Sequence, residues 1–281
     1  RRHLQAMNKR TAVAVSSVAL AILALLAMGP ILAGASPLQQ GGYGYYSSIT
    51  IKASGVTTDL TDLPVALILD DGRFATTGNG GHIENTTSGG VSGSITVPAD
   101  LVVSSNSDGS SRYDFEVVSY TASTGHLQLW VEIPSLSSNS DTTVYLVYGD
   151  SGISSSQEDV AGTWANGFEA VYHFSDSGAV AEDSTGSHDA TYQGNLPRAA
   201  TGVVGAGQDL DGSGDYVQIP DASGLRLGTE DFSISMWIAN DAGTGGIIDK
   251  ANDSDQEGWC ASYSSYTPKP IFLIDGTSNE A

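Results

Sequence analysis

Positive charge is the first thing this chain lacks. Its 281 residues carry 11 Lys and Arg against 32 Asp and Glu, a formal net charge of −21 at pH 7. With no basic patch to follow a phosphate backbone, nucleic-acid binding is excluded. Electrostatic docking on anionic lipid has no foothold for the same reason. Charge of either sign is sparse, 15% of residues, where an average globular domain has about 25%. The acidity reads first as solubility and second as a supply of divalent-cation ligands.

Cysteine is nearly absent. The single Cys260 forms no disulfide within the chain and excludes a Cys-rich zinc site. In Gly258-Trp259-Cys260-Ala261 it reads as a small core residue. Histidine is scattered: His82, His126, His173 and His188 show no His-x-x-x-His spacing, and His173 reads as a packed imidazole. No Gly-x-Ser-x-Gly elbow lies between a strand and a helix. After the first 35 residues, no stretch keeps a helical period for three turns.

What is present is Gly, Ser and Thr, with 34 Gly, and an apolar fraction of 40% that suffices for a core. Gly, Ser and Thr are poor helix formers and suit turns and strands. Period-two alternation recurs at Ser48–Lys52, Phe115–Tyr120, Leu127–Ile133, Thr143–Tyr148, Asp215–Ile219 and Phe232–Ile238. These short runs, bounded by Gly, Ser, Asn, Asp or Pro, predict half-buried antiparallel strands.

The N-terminus reads as a targeting segment. Met7 precedes Lys9 and Arg10, and Thr11 to Met28 are 18 residues without a charge. Ala33 and Ala35 fit a small-x-small cleavage pattern, with the cut before Ser36. The run also suffices to span a bilayer. Residues 1–35 are therefore expected to be a hydrophobic signal or anchor helix, a cleaved signal being preferred, with membrane contact through 11–32 if it is uncleaved. Either way Lys9 and Arg10 stay inside and the rest lies outside the cytoplasm. Loss of residues 1–35 leaves 7 basic against 32 acidic residues, a net of −25. Export without disulfides points to a prokaryotic surface. The residues before Met7 read as upstream read-through. The stop at Asn279-Glu280-Ala281, just past the strand-like Ile271–Ile274, suggests the N-terminal part of a longer protein. Sequons stand at Asn85 and Asn252.

The small polar run Gly149–Ser156 predicts a linker, 151–163. It separates a domain at 42–150 from a second at 164–281. The expected fold is thus all-β: two consecutive antiparallel β-sandwiches behind the hydrophobic segment.

Several runs carry a resemblance. Tyr45–Ile51, Leu60–Leu67, Tyr113–Tyr120, Leu129–Pro134 and Asp141–Gly149 resemble the prokaryotic surface domain catalogued as domain of unknown function 2341, over nearly all of 43–150. The family usually has Asn where this chain has Asp150, and an Ile-Arg-Phe-like strand where it has Leu101-Val102-Val103. The second part runs through Phe168–Phe174, Glu182–Gly186, Gly205–Gly212, Asp215–Pro220 and Asp231–Ile238. It resembles a laminin-G-like, concanavalin A-like jelly roll, here incomplete. That resemblance implies recognition of a glycan or protein ligand and sometimes one calcium ion. It places the calcium candidate at Asp183 in Glu182-Asp183-Ser184-Thr185, with Asp211 and Asp215 flanking Gly212-Ser213-Gly214. Turn chemistry accounts for the same three residues without metal.

Catalysis has little support. A retaining glycosidase needs carboxyl groups about 5 Å apart; of the i, i+2 pairs, Asp209/Asp211 sits in the Gly-rich run that carries the jelly-roll resemblance, and Asp253/Asp255 and Asp255/Glu257 lie in a turn-like run. Trp130 and Trp237 fall in alternating strands and read as core, and Trp164 as packing at the domain junction. Trp259, Tyr263 and Tyr266 are the candidate ligand platform. The sequence thus predicts an exported, non-catalytic surface protein that recognises a glycan or surface protein, with calcium as an optional cofactor. A purely structural surface or envelope module is the alternative, and the N-terminal part of a secreted glycan-active enzyme is a second one.

Overall fold

The computed structural model describes residues 42–176, 178–226, 231–239, 245–251, 258–264 and 267–275. The expected signal or anchor helix at 1–35 and the candidate Tyr266 lie outside these residues. Among the described residues, no helix is long and apolar enough to cross a membrane.

The chain is all-β, and its named sheets are antiparallel throughout. The strands of the first part are β1 (Tyr45–Ile51), β2 (Leu60–Asp70), β3 (Thr86–Gly89), β4 (Ile95–Pro98), β5 (Val102–Ser104), β6 (Arg112–Tyr113), β7 (Phe115–Thr121), β8 (His126–Leu136) and β9 (Thr142–Tyr148). They form a four-stranded sheet ordered β1-β9-β5-β6, a three-stranded sheet ordered β2-β8-β7, and the hairpin β3-β4.

Alternation sorts each strand into two faces. On β8, Leu127, Leu129, Val131 and Ile133 enter the main core, beside Val65 and Leu67 of β2 and Phe115 and Val117 of β7. Val103 of β5 and Val144, Leu146 and Tyr148 of β9 meet them from the other sheet. Burying each such side chain is worth about 1.5–3 kcal/mol. The residues in between, Ala66, Trp130, Glu116 and Val118, point to the opposite side of the three-stranded sheet. Ala66 pairs with Trp130, and Trp130 with Glu116, in one row across the strands.

That outer row is not left to water. Ala66, Val118 and Trp130 are buried with Trp164 and Val204, and Phe168 and Val171 pack against them. A third layer, drawn from residues 158–206, therefore covers the sheet. The segment 151–163, expected as a linker, is held against the sandwich. Ile153 packs with Tyr43, Val102 and Val147 on the outside of the four-stranded sheet. A single helical turn, α1 (Val160–Thr163), is capped by the Asp159 carboxylate, which accepts from the Gly162 N–H at 2.7 Å.

The remaining strands are β10 (Val180–Ala181), β11 (Ala190–Gln193), β12 (Ala199–Thr201), β13 (Ala206–Gln208), β14 (Tyr216–Gln218), β15 (Gly245–Ala251), β16 (Gly258–Ser264) and β17 (Thr267–Asp275). They form the sheets β10-β11-β14, β12-β13 and β15-β16-β17. Ala181, Ala190 and Tyr192 centre a small core with Tyr172, Phe174, Leu196, Val217 and Ile219 around it.

Described residues from 42 to 210 and from 214 to 233 make one compact unit, and residues 211–213 with those from 234 onward make a second. The boundary between compact units therefore does not coincide with the expected break at 150. The reason is the apolar outer row on β2, β8 and β7, which residues beyond 150 bury. The second unit contains the meander β15-β16-β17. Residues 234–239 precede it without joining a named strand. Trp237, read from its alternation as core, is 55% exposed there, because alternation buries a residue only where a second layer meets that face.

Candidate functional site

A buried polar cluster lies between the three-stranded sheet and its covering layer. Glu116, on the outer face of β7, is 1% exposed. Its carboxylate accepts from the Trp164 indole N–H at 2.6 Å and from the Ser184 hydroxyl at 2.8 Å. His173 Nε2 lies 3.1 Å from the same carboxylate. The His173 ring is itself 7% exposed, tilted against Trp164 with centroids 5.6 Å apart and stacked near Trp130. A buried carboxylate is costly unless its lone pairs are filled, and here three donors from three segments fill them. Ser184 and His173 both turn to Glu116. The cluster is a hub around one carboxylate, not a relay from base to nucleophile.

Further bonds run along the same interface. Glu158 accepts from the Val117 N–H at 2.7 Å and from the Gly90 N–H at 3.1 Å. Burial pushes its carboxyl above the usual range, and the Ser156, Val117 and Gly90 donors offset that only in part. Asn166 donates to Glu132 at 3.3 Å, and the Gly205 N–H to the Gln128 side chain at 2.7 Å. Burial likewise raises the Glu132 carboxyl, with the Asp62 and Asp114 charges adding to it. An open cleft of about 360 Å³ adjoins this interface, lined by Ile95, Thr96, Ser119, Tyr120, Ser175 and Gly205 among others. Its lining bears no charged side chain.

Asp183, the calcium candidate, is fully buried. Its carboxylate accepts from the N–H groups of Val171 at 2.7 Å, Thr185 at 3.0 Å, Ser187 at 3.3 Å and His188 at 2.9 Å. The Thr185 hydroxyl donates to it at 2.5 Å. These donors point hydrogens at the oxygens a cation would need. The aspartate ties its own loop to the strand-like segment 168–174, where Tyr172 and Asp183 also form a bridge. Asp100 does the same in the sandwich. It is fully buried and accepts from the N–H groups of Glu84, Gly149 and Asp150 at 3.0, 2.9 and 3.2 Å. Gly149 is required there: its φ is +88°, and a Cβ would come 2.6 Å from the Tyr45 ring.

The structure does not gather the other predicted site residues around Asp183. Asp215 accepts from the Asn195 N–H at 2.7 Å and lies 3.6 Å from Arg198. Asp211 belongs to the second compact unit and accepts from the Ser213 N–H at 2.8 Å in a tight turn. Among the described residues, no three His, Cys, Asp or Glu side chains converge on a point that could hold a metal ion. Trp259 and Tyr263 both lie on β16, and Trp259 is half-buried. Asp209 pairs with Arg198 at 2.8 Å. Asp253, Asp255 and Glu257, from the remaining acidic pairs, lie outside the described residues. The Asn85 sequon is already engaged, its side-chain amide donating to the Ser151 and Ile153 carbonyls at 3.2 and 2.7 Å.

Sequence reasoning missed Glu116, Glu158 and Asp100. The available signal was a charged residue on a strand otherwise apolar on both faces, Phe115-Glu116-Val117-Val118, which marks a two-sided strand with a buried partner.

Residues 99–186 match a family described as a domain of unknown function, DUF2341. The matched stretch begins within the sandwich, crosses residue 150 and ends just past Ser184. It thus includes Glu116, Glu158, Trp164, His173, Asp183 and Ser184, and differs from the 43–150 range read from the sequence. A solved structure similar to part of the chain is that of an S-layer domain-containing protein (residues 221–444) from Clostridium thermocellum ATCC 27405. It is 22% identical, with a TM-score of 0.30, over 40% of this chain and 59% of that one. No curated protein matches.

Proposed function

We propose that the chain is a non-catalytic structural module of a cell surface or envelope, exported by its first 35 residues. The observation that carries this reading is the Glu116 hub. The polar and aromatic side chains best suited to a site are used to hold the covering layer on the sheet. Asp183 and Asp100 are spent in the same manner on loop N–H groups. A body braced in this way suits spacing or presenting a neighbour better than turning over a substrate. Export rests on the basic, then apolar, then small-residue pattern of residues 9–35.

Two measurements test the proposal. Residues 1–41 fused to a periplasm-dependent reporter should direct it out of the cytoplasm, and a silent reporter would remove export. The full chain should show the same melting temperature with calcium as with chelator, and no retention on a glycan array. A ligand that binds only the folded form at a hundredfold excess over its Kd stabilises by about 2.7 kcal/mol, which a melt would reveal.

A second reading is recognition of a glycan or surface protein by an incomplete jelly roll. The placement of Trp259 and Tyr263 on one strand, two alternations apart, favours it. Saturable glycan retention abolished by Trp259→Ala would establish that reading in place of the first.

A further inference from the structure

The sequence holds two Asn-Gly pairs, Asn79-Gly80 and Asn166-Gly167. With no side chain on the second residue, its backbone nitrogen has the freest approach to the asparagine amide, and asparagine is a thermolabile residue. The structure treats the two pairs differently. Asn79 ends the short 3-10 turn Thr77–Asn79, where its amide nitrogen donates to the Thr76 hydroxyl at 2.7 Å and to the Ala122 carbonyl at 3.4 Å. The Gly80 N–H donates to the Thr77 carbonyl at 3.1 Å. Asn166 and Gly167 are exposed in the turn after α1. A Cβ on Gly167, whose φ is +82°, would meet nothing within 4 Å. The Gly167 N–H reaches the Ala165 carbonyl at 3.1 Å, and the Asn166 amide donates to Glu132 at the long distance of 3.3 Å. The Asn79 amide is thus pinned by a short bond, and the Asn166 amide is not. The bond from Asn166 nevertheless joins the covering layer to the sheet. Glu132 is buried on β8, with Asp62 and Asp114 adding like charge to it.

We propose that Asn166-Gly167 is a self-modification site, where spontaneous deamidation turns a tie between the covering layer and the sheet into a repulsion. The Gly167 nitrogen gives its proton to solvent hydroxide and attacks the Asn166 Cγ. The Cγ–N bond of the amide breaks, ammonia leaves with a proton from water, and a succinimide ring joins residues 166 and 167. Water then opens the ring at Cγ, giving aspartate at position 166, or at the backbone carbonyl, giving isoaspartate. Nothing is oxidised or reduced, and water is the one co-reactant. The nitrogen that donated to Glu132 becomes an oxygen that cannot donate when ionised. Two carboxyl groups then face each other where one hydrogen bond stood, and their like charge opposes closure of the layer. The ammonia is lost to solvent, so the step runs one way. The grip of the layer on the sheet therefore falls with the age of the molecule.

Peptide mapping by mass spectrometry of the full 281-residue chain, aged in mildly alkaline buffer, tests the site. Asn166 should gain the mass of an amide-to-acid exchange severalfold faster than Asn79, and faster as the pH is raised. Asn166→Gln, which must close a larger ring, should stop the gain. Hydrogen exchange, corrected for intrinsic rates, reads the consequence. Aged protein and Asn166→Asp should both exchange faster than fresh wild type at amides of residues 160–174. Asn166→Ser, which removes the donor without adding charge, should fall between them and wild type. An Asn166 that stays an amide, or an Asn79 that converts as fast, would overturn the site. Exchange in Asn166→Asp no faster than in Asn166→Ser would overturn the repulsion.

Discussion

The indole N–H of Trp164 donates to the carboxylate of Glu116 across 2.6 Å, joining a residue of the covering layer to the outer face of β7. Both partners are buried, at 4% and 1% exposure, so neither finds a substitute in water when the other is removed. Trp164→Phe keeps most of the ring and removes the donor. It should cost about 1–3 kcal/mol, the penalty for a buried acceptor losing a partner. Urea denaturation of the full chain measures it, and a loss under about 0.5 kcal/mol would mean that Ser184 and His173 alone satisfy the carboxylate.

The same contact defines the smallest piece that folds. A chain cut to residues 42–150 would expose Ala66, Val118 and Trp130 together with an unpaired Glu116. It should aggregate or melt well below a chain cut to residues 42–233, which keeps the whole first compact unit. Equal melting temperatures and a monomeric elution for the shorter piece would show that the cover adds nothing to the sandwich.

Asp183 should be indifferent to calcium and intolerant of substitution. Asp183→Asn places an amide group against N–H donors and should destabilise the chain by about 2 kcal/mol or more. The loss should be equal with calcium and with chelator. A melting temperature that rises with calcium in the wild type, and fails to rise in the variant, would restore the cation site.

At the acid end, Asp71 sets a different limit. Its carboxyl is held below the ordinary range, first by the hydrogen bonds from the Arg73 guanidinium and then by the Arg73 N–H. A group lowered in the folded form contributes stability above the ordinary aspartate value and loses it as the pH falls through the folded one. Both side chains are partly exposed, which discounts the pair to about 1 kcal/mol or less. The stability gap between wild type and Asp71→Asn should therefore close between pH 5 and pH 2. A gap that widens in acid would reverse the assignment.

Much of the first sandwich is legible in the sequence. Leu127, Leu129, Val131 and Ile133 announce their face by alternation, and the structure buries all four. Trp164 was also readable as a junction residue. Period two cannot say whether the other face is wet, because that depends on residues far away in the chain. Trp130 and Trp237 make the point as a pair. Both sit in alternating runs, yet one is 8% and the other 55% exposed. The segment 151–163, read as a linker, illustrates a related point. Ser, Gly and Asp make a flexible chain when nothing meets them, but here Ile153 and Glu158 find apolar and N–H partners on the sandwich.

The sequence by itself determined the class of this protein. One cysteine, abundant glycine and short alternating runs leave an antiparallel all-β chain. Tertiary structure alone decided what its acids do. A carboxylate in a loop is equally a cation ligand or a hydrogen-bond acceptor until its neighbours are placed. For Asp183, Glu116 and Asp100 those neighbours are N–H and O–H groups, which fill the oxygens' hydrogen bonding and tie segments together.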